Sequence, residues 1–211
     1  VLRHAIDAVL SRNGLIRGDA SVRLTLEGSP PADDDTAAPA RWFVSARALT
    51  EYPGEFYERG ASAIVSDLRR NETSPLSRLK TLNYLDNLLA RRAARANGAD
   101  EAILLNTRGM VAEGSASNVF IVRGRQLWTP PVAAGALPGI ARATVLELAP
   151  SLGLDVVEAD FGVAELWAAD EAFLTNSLLE VVRLARVDEK AVGTVLQSAL
   201  APRLRALIPR T

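Results

Sequence analysis

Length, composition and charge limit the class of this protein. The chain has 211 residues, 48% hydrophobic and 23% charged, which is enough to bury a core in one or two domains. With a net charge of −1, the chain lacks the excess of positive charge that is typical of nucleic-acid-binding proteins. With no cysteine and a single histidine, His4, the sequence excludes disulfides, thiolate zinc sites and cysteine nucleophiles, and predicts no metal site.

No apolar run is long enough to cross a membrane, and no signal peptide is visible. These features predict a cytoplasmic protein with no membrane partner. The first residue is Val1 rather than methionine, so we expect further chain upstream.

The first part of the chain predicts a helix followed by strands. Leu2 to Leu10 has one apolar face, and His4 is expected on the helix surface. Ser21 to Leu26 alternates as a strand with Arg23 on its polar side, either as an exposed residue or as an anion ligand. The other predicted elements before residue 75 are the loop Gly28–Pro39 with the solvated acidic run Asp33–Asp35, the strand Trp42–Ala48, the turn Tyr52–Gly54 and the strand Ala61–Val65.

Lys80 stands immediately before a leucine-rich segment with helical spacing. Apolar residues at 82, 85, 88, 89 and 93 predict a helix from Thr81 to Ala96, and Asn97-Gly98 ends it. Lys80 is also the only lysine before Lys190, so a reaction that needs an amine has one obvious candidate.

The second half of the chain predicts short strands joined by tight turns. This pattern favours an antiparallel, barrel-like sheet with a few helices. The predicted strands are Glu101–Leu105, a partner after the turn Thr107–Gly109, Val119–Val122, Gln126–Thr129, Val156–Ala159 and Ala172–Thr175. The predicted helices are Ala141–Leu152, Val163–Ala168 and Gln197–Leu207.

Four short motifs between Lys80 and Ser177 carry a family resemblance. They are Lys-Thr-Leu-Asn-Tyr-Leu from Lys80, Glu-Gly-Ser-Ala-Ser-Asn from Glu113, Leu-Pro-Gly-Ile from Leu137 and Phe-Leu-Thr-Asn-Ser from Phe173. In this order they resemble the class IV pyridoxal-phosphate enzymes, which include branched-chain aminotransferases, D-amino acid transaminases and 4-amino-4-deoxychorismate lyases. The match runs from about residue 76 to residue 188.

The resemblance implies a fold of α/β (α+β) class, fold-type IV, with a barrel-like mixed sheet, flanking helices and a truncated N-terminal domain. Residues 1–75 would be the remainder of that smaller domain and the connection, and residues 76–211 the larger cofactor-binding domain. The resemblance also implies a homodimer and a small-molecule substrate.

Pyridoxal 5′-phosphate requires an amine for its aldehyde, an anion at its pyridine nitrogen and donors for its phosphate. The resemblance assigns the amine to Lys80, which forms the Schiff base, and the anion to Glu113. The small residues after Glu113 allow the backbone to approach a flat ligand. Ile140 and Ala141 would offer N–H groups to the phosphate at a helix start, although the family often has threonine where Ala141 stands.

The remaining assignments also follow from the resemblance. Ser177 matches a phosphate-binding hydroxyl, and Leu137 either packs on the ring or belongs to the core. The full predicted cofactor-binding set is Lys80, Tyr84, Glu113, Ser115, Asn118, Leu137, Gly139, Ile140, Ala141, Asn176, Ser177 and Arg23, with Lys80 as the catalytic residue.

Within the family, the spacing Lys-Thr-Leu-Asn is that of the lyase and D-amino acid groups, whereas the branched-chain group usually carries an extra glycine. The resemblance therefore favours 4-amino-4-deoxychorismate lyase, with an aminotransferase of branched-chain or D-amino acids as the alternative. A non-catalytic binding protein with a decayed site is a further alternative. The presence of both Lys80 and Glu113 argues against decay.

Overall fold

A computed structural model of the chain describes residues 1–28, 41–193 and 200–208. Backbone packing divides the chain into two compact units, Val1–Glu51 and Tyr52–Thr211. The domain boundary predicted after residue 75 stays a prediction. Apart from Gly28, the predicted loop Gly28–Pro39 with its acidic run lies outside the described residues.

The first unit contains one helix and one pair of strands. Helix α1 spans Leu2–Arg12, and strands β1 (Ala20–Glu27) and β2 (Arg41–Ala48) pair antiparallel along their whole length. The helix and both strands were predicted from the sequence. His4 is exposed on α1, as expected, and Arg23 is exposed on β1.

The second unit is built on one mixed sheet with helices around it. Its strands are β3 (Ala61–Arg70), β4 (Glu101–Asn106), β5 (Val111–Gly114), β6 (Asn118–Arg123), β7 (Gln126–Thr129), β8 (Asp155–Glu158), β9 (Glu171–Asn176), β10 (Glu180–Val187) and β11 (Lys190–Ala191). Its helices are α2 (Gly54–Arg59), α3 (Leu85–Ala96), α4 (Ile140–Leu148), α5 (Val163–Trp167) and α6 (Leu200–Leu207).

Strand order explains why the sheet is mixed rather than wholly antiparallel. The order is β5-β4-β3-β10-β9-β6-β7-β8, with β11 beside β10. Strand β3 is parallel to both β4 and β10, and β7 is parallel to β8. Parallel neighbours need a long crossover connection, and α3 provides it between β3 and β4. The predicted mixed, barrel-like sheet is confirmed.

The sheet is curled, and a tight turn joins the end of β5 to the start of β6. The N–H of Gly114, at the end of β5, donates to the carbonyl of Ser117 across a distance of 2.7 Å. Fully buried apolar side chains fill the curl, among them Ile103, Val119 and Leu174. The side chains of Ser115 and Ser117 in this turn are buried.

Helix α3 packs in a way that the leucine pattern did not indicate. It begins at Leu85, not at Thr81, and its buried residues are Asn87, Ala90 and Ala94. These small residues pack on β3 and β4. A helix whose inner face is small can approach a sheet closely, and its leucines are left on the outer face.

Several elements lie beyond the sequence predictions. Helix α2 begins at the last residue of the predicted turn and continues through residues for which no element was predicted, and β10 and β11 follow the last predicted strand. Strand β3 continues to Arg70, well past the predicted end at Val65. Helix α6 begins at Leu200, and Gln197 lies outside the described residues. Within the described ranges, no helix has both the length and the apolarity that a bilayer span requires.

The packing of β6 on β9 predicts a large stability loss at one aromatic pair. Phe120 and Phe173 are fully buried and stack with ring centroids 5.0 Å apart. Phe173→Ala should therefore lower the free energy of unfolding by about 3–5 kcal/mol, measured by chemical denaturation. The exposed Leu178 provides the control, because Leu178→Ala should change stability by less than about 0.5 kcal/mol. Equal effects of the two substitutions would contradict this packing.

Candidate active site

A buried ion pair occupies the centre of the candidate site. Arg70, the last residue of β3, places its Nε 3.0 Å from Oε1 of Glu113 on β5. The side chains are 15% and 6% exposed. The other carboxylate oxygen, Oε2, accepts the N–H of Leu137 at 2.8 Å. The carboxyl of Glu113 is therefore held in one orientation.

Arg70 also connects other parts of the second unit to this pair. Its remaining guanidinium donors reach the carbonyl of Ser77 at 2.9 Å and the side-chain oxygen of Asn87 at 3.3 Å. Its Nε contacts the carbonyl of Gly135 at 3.1 Å. Gly135 has φ +98°, and a Cβ there would lie 3.0 Å from Cγ of Arg70, so this close approach requires glycine.

Burial dominates the electrostatics of Glu113. Removal from water raises the pKa of its carboxyl to about 7, because the charged form loses its hydration. The positive charge of Arg70, the N–H of Leu137 and the charge of Lys80 all oppose this rise, whereas Glu101 adds to it. At neutral pH the carboxyl can thus gain or lose a proton when another charge approaches.

A second buried carboxylate, Glu101, holds the segment that follows Glu113. It accepts the backbone N–H groups of Ala102, Ser115 and Ala116 and the hydroxyls of Ser115 and Ser117. Gly114 stands beside it, and a Cβ on Gly114 would meet the Ser117 hydroxyl oxygen at 2.2 Å. The run of small residues in the sequence is therefore needed for this segment to fold around the Glu101 carboxylate.

Residues at the start of helix α3 also form hydrogen bonds with the segment that follows Glu113. The hydroxyl of Tyr84 donates to the carbonyl of Ser115, and the amide of Asn87 donates to the same oxygen at 3.0 Å. Burial raises the pKa of Tyr84, and the negative charges of Glu113 and Glu101 act in the same direction. The phenol therefore remains a hydrogen-bond donor at neutral pH.

A close backbone approach also marks the entry to α4. The amide of Asn118 donates to the carbonyl of Leu137 at 2.9 Å. A Cβ on Gly139 would lie 2.3 Å from the side-chain oxygen of Asn118, so this position admits only glycine. Gly139 caps α4, and the first N–H groups of that helix, those of Ile140 and Ala141, have no acceptor within the helix.

The structure places the other predicted residues as follows. Asn176 ends β9 and donates its amide to the carbonyl of Ala116 at 2.9 Å, and Ser177 beside it is exposed. Lys80 is exposed between a 3-10 turn, Pro75–Arg78, and α3. Arg23 belongs to the first unit, and its predicted part in the site stays a prediction.

Three residues of the site were missed by sequence reasoning: Arg70, Asn87 and Glu101. Arg70 follows another arginine, and the sequence does not show which of the two faces inward. Asn87 had a usable signal, because it shares a helical face with the small residues Ala90 and Ala94. Glu101 was assigned only to a strand.

Comparison with known proteins decides the family. The profile described as Amino-transferase class IV matches residues 1–187. The chain belongs to this family. Class IV aminotransferases depend on pyridoxal phosphate, as the motifs from Lys80 to Ser177 implied.

Relatives in the family have different named activities. An aminodeoxychorismate lyase from Bacillus subtilis (strain 168) is 31% identical over 192 residues, covering 90% of this chain and 64% of the relative. A branched-chain-amino-acid aminotransferase from Escherichia coli (strain K12) is 37% identical over 141 residues, covering 66% and 46%. The chain thus spans about half to two thirds of the length of these curated relatives.

Solved structures confirm the fold. A branched-chain aminotransferase from the thermophilic archaeon Thermoproteus uzoniensis, solved with norvaline, has a TM-score of 0.82 and 31% identity. The match covers 98% of this chain and 68% of that one. The fold-type IV class predicted from the motifs is therefore confirmed.

The residues present fit the family's cofactor. The buried carboxylate of Glu113 suits a protonated pyridine nitrogen, and the α4 N-terminus with Ser177 suits a phosphate.

The ion pair predicts a change in titration. Because the guanidinium of Arg70 lowers the pKa of Glu113, Arg70→Gln should move that pKa above about 7. Carbon NMR of labelled glutamate carboxyls across a pH series measures the midpoint. Arg69→Gln is the matched control, because Arg69 is exposed on the neighbouring position of β3 and should leave the midpoint unchanged.

Arg70→Lys separates charge from folding in this test. It keeps the positive charge and should keep the Glu113 midpoint lower than Arg70→Gln does. A Glu113 midpoint that is equal in Arg70→Gln and the parent protein would show that the ion pair is not formed.

Proposed function

We propose that this protein is a pyridoxal-phosphate-dependent 4-amino-4-deoxychorismate lyase, which releases pyruvate and forms 4-aminobenzoate. The main support is the similarity to the aminodeoxychorismate lyase from Bacillus subtilis. Its alignment covers 90% of the chain and extends into both compact units. The short spacing from Lys80 to Tyr84 supports the same assignment, since the branched-chain group usually has an extra residue there.

Each residue of the site has a distinct task in this proposal. The cofactor, when bound, supplies an electron sink for the bond changes at the substrate's amine-bearing carbon. The free amine of Lys80 accepts the proton from that carbon. Glu113 places a negative charge at the pyridine nitrogen, which stabilises its protonated form. The N–H groups of Ile140 and Ala141, with the hydroxyl of Ser177, hold the phosphate.

Arg70 adjusts the carboxylate in this arrangement. Without a cation nearby, burial would keep Glu113 protonated through the neutral range. The guanidinium at 3.0 Å favours the charged form, and the N–H of Leu137 fixes the direction of the other oxygen. The carboxyl is then correctly oriented before the cofactor arrives, and with a pKa of about 7 it needs only a small shift to become charged, so little reorganisation is needed.

A branched-chain aminotransferase is the second candidate. The aminotransferase from Escherichia coli has the higher identity, 37%, although its alignment covers 66% of the chain. Lys80 and Glu113 would do the same work in that reaction. The two candidates differ in what happens to the substrate's amine, which leaves with the aromatic product in the lyase reaction and is passed to a keto acid in transamination.

An exposed leucine face on helix α3 favours assembly of the chain as a homodimer. Leu85, Leu88 and Leu89 are 66%, 55% and 45% exposed, at the spacing that forms one helical face. Exposed apolar patches of this kind mark protein interfaces. The leucine face follows directly after Lys80 and Tyr84, so a second copy of the chain seated on it would lie close to the candidate site.

The two candidate reactions differ in their need for a keto acid. A lyase completes many turnovers on 4-amino-4-deoxychorismate alone, because its product carries the amine away. We expect cofactor-loaded protein to release pyruvate and 4-aminobenzoate continuously without a keto acid, measured by a coupled pyruvate assay. Lys80→Ala should abolish this release, because Lys80 is the residue to which the proposal assigns the proton transfer.

The same preparation tests the alternative. Leucine with 2-oxoglutarate should give little glutamate if the lyase assignment is correct. Rapid glutamate formation together with absent pyruvate release would establish the aminotransferase instead. If Lys80→Ala were as active as the parent protein, the catalytic assignment would be wrong for both candidates.

The leucine face predicts the oligomeric state. Leu85→Lys combined with Leu88→Lys should convert a dimer to a monomer, measured by sedimentation velocity, because the two charges would be buried in the interface. Leu178→Lys is the control, since Leu178 is 51% exposed on another element and should leave the dimer intact. A parent protein that sediments as a monomer would exclude this interface.

A further inference from the structure

A cavity of about 380 Å³ opens in the second unit at the ends where β3 and β4 begin. It is lined by the start of these strands, by the end of β9, by α2 and by the later turns of α3. Its volume is within the range of small-molecule sites. Of the predicted cofactor-binding set, only Asn176 lines it; Lys80, Glu113 and Leu137 do not.

Two arginines of α3 face this cavity without protein partners. Within residues 1–28, 41–193 and 200–208, neither Arg91 nor Arg95 makes a hydrogen bond or an ion pair through its side chain. The Nε of Arg91 is moreover buried and has no acceptor. An unsatisfied buried donor is costly, so this group is expected to have an acceptor in the functional state.

The third arginine of the cavity, unlike Arg91 and Arg95, is paired with a carboxylate of the protein. Arg59 makes two 2.8 Å hydrogen bonds to the carboxylate of Asp100 and lies over the ring of Phe56, with its central carbon 5.0 Å from the ring centroid. Its charge is therefore neutralised within the protein.

The carboxylates that line the cavity do not neutralise Arg91 and Arg95. Asp100 is bound by Arg59 and by the N–H and hydroxyl of Ser62. Glu101 accepts only backbone N–H groups and serine hydroxyls. Glu55 is an exposed residue of α2 with no ion pair to either arginine in the described part of the chain.

The rest of the wall is apolar and aromatic. Leu174, Leu179 and Val182 come from the core inside the curled sheet, and Tyr52 stacks on Phe56 with ring centroids 5.0 Å apart. An inorganic anion would use the arginines alone and leave the half-buried ring of Tyr52 partly in water. A molecule with both an anionic group and an apolar body would satisfy both.

We propose that this cavity binds a small organic carboxylate, separately from the candidate active site. The carboxylate pairs with Arg91 and Arg95, and the apolar body packs beside Tyr52, which is half-buried and lines the cavity. Planar guanidinium groups bind carboxylates through paired N–H donors, which gives the site its preference for this group. Binding there satisfies the orphan Nε of Arg91.

The position of the cavity connects it to the segment after Glu113. Ala116 lines the cavity, and its carbonyl accepts the amide of Asn176 at 2.9 Å. Glu101, which also lines it, holds the backbone of Ser115. A carboxylate in the cavity would therefore lie next to Ala116, in the segment that directly follows Glu113, the residue predicted to face the cofactor's pyridine nitrogen.

Benzoate is the probe for this site, with uncharged benzamide of similar shape as its comparison. Calorimetric titration of the cofactor-saturated protein should show benzoate binding and at least about tenfold weaker benzamide binding, because the charged hydrogen bonds are lost. Arg91→Gln and Arg95→Gln should each weaken benzoate binding by about tenfold or more. Arg92→Gln is the matched control, since Arg92 is exposed on the same helix and does not line the cavity.

Each other result counts against the site. Absence of benzoate binding, equal binding of benzamide, or equal loss in Arg92→Gln would overturn the proposal. Benzoate that binds equally well to the parent protein and to both Arg91→Gln and Arg95→Gln occupies another place, such as the substrate side of the cofactor, and would also overturn it. Circular dichroism of the three arginine variants checks that they remain folded, and because the readout is binding, its outcome does not depend on which reaction the protein catalyses.

Discussion

The ion pair between Arg70 and Glu113 is the interaction on which the site depends. Removing two charges from water is expensive, and the cost is recovered only when their hydrogen-bonding groups are satisfied. Here the guanidinium reaches Glu113, Gly135, Ser77 and Asn87, so one side chain joins two strands, a loop, a turn and a helix. Losing Glu113 would leave the buried guanidinium charge uncompensated, and losing Arg70 would leave the carboxylate uncompensated and remove the hydrogen bonds to Gly135, Ser77 and Asn87.

Two buried carboxylates perform different physical tasks a short distance apart. Glu113 has a cationic partner and one N–H donor, and its raised pKa leaves it able to respond to a new charge. Glu101 is surrounded by neutral donors from the Ser115–Ser117 segment and thereby shapes the backbone. One acid thus provides the electrostatics of the site, and the other provides its geometry.

Local patterns in the sequence predicted most elements, and the motifs from Lys80 to Ser177 predicted the family and its fold. Contacts between distant parts of the chain lay beyond those patterns. The inward direction of Arg70 depends on where β3 ends and on a glycine 65 residues away. The leucines of α3 predicted a helix correctly, yet its inner face proved to be Asn87, Ala90 and Ala94, because close packing on the sheet selects small side chains. Strand β10 has apolar residues at 181, 182, 184 and 187 without a regular alternation, so its pattern did not predict a strand.

The junction of β5 and β6, closed by the turn hydrogen bond between Gly114 and Ser117, has a consequence for unfolding. A ligand held by Glu113 on one side of this junction and by α4 or Ser177 on the other would span it. Such a ligand stabilises the folded chain by roughly 2.7 kcal/mol at a free concentration about 100 times its Kd. If the junction opens before the rest of the sheet, the ligand must leave first, and the unfolding rate falls with ligand concentration. The group that serves the chemistry would then also set the lifetime of the fold.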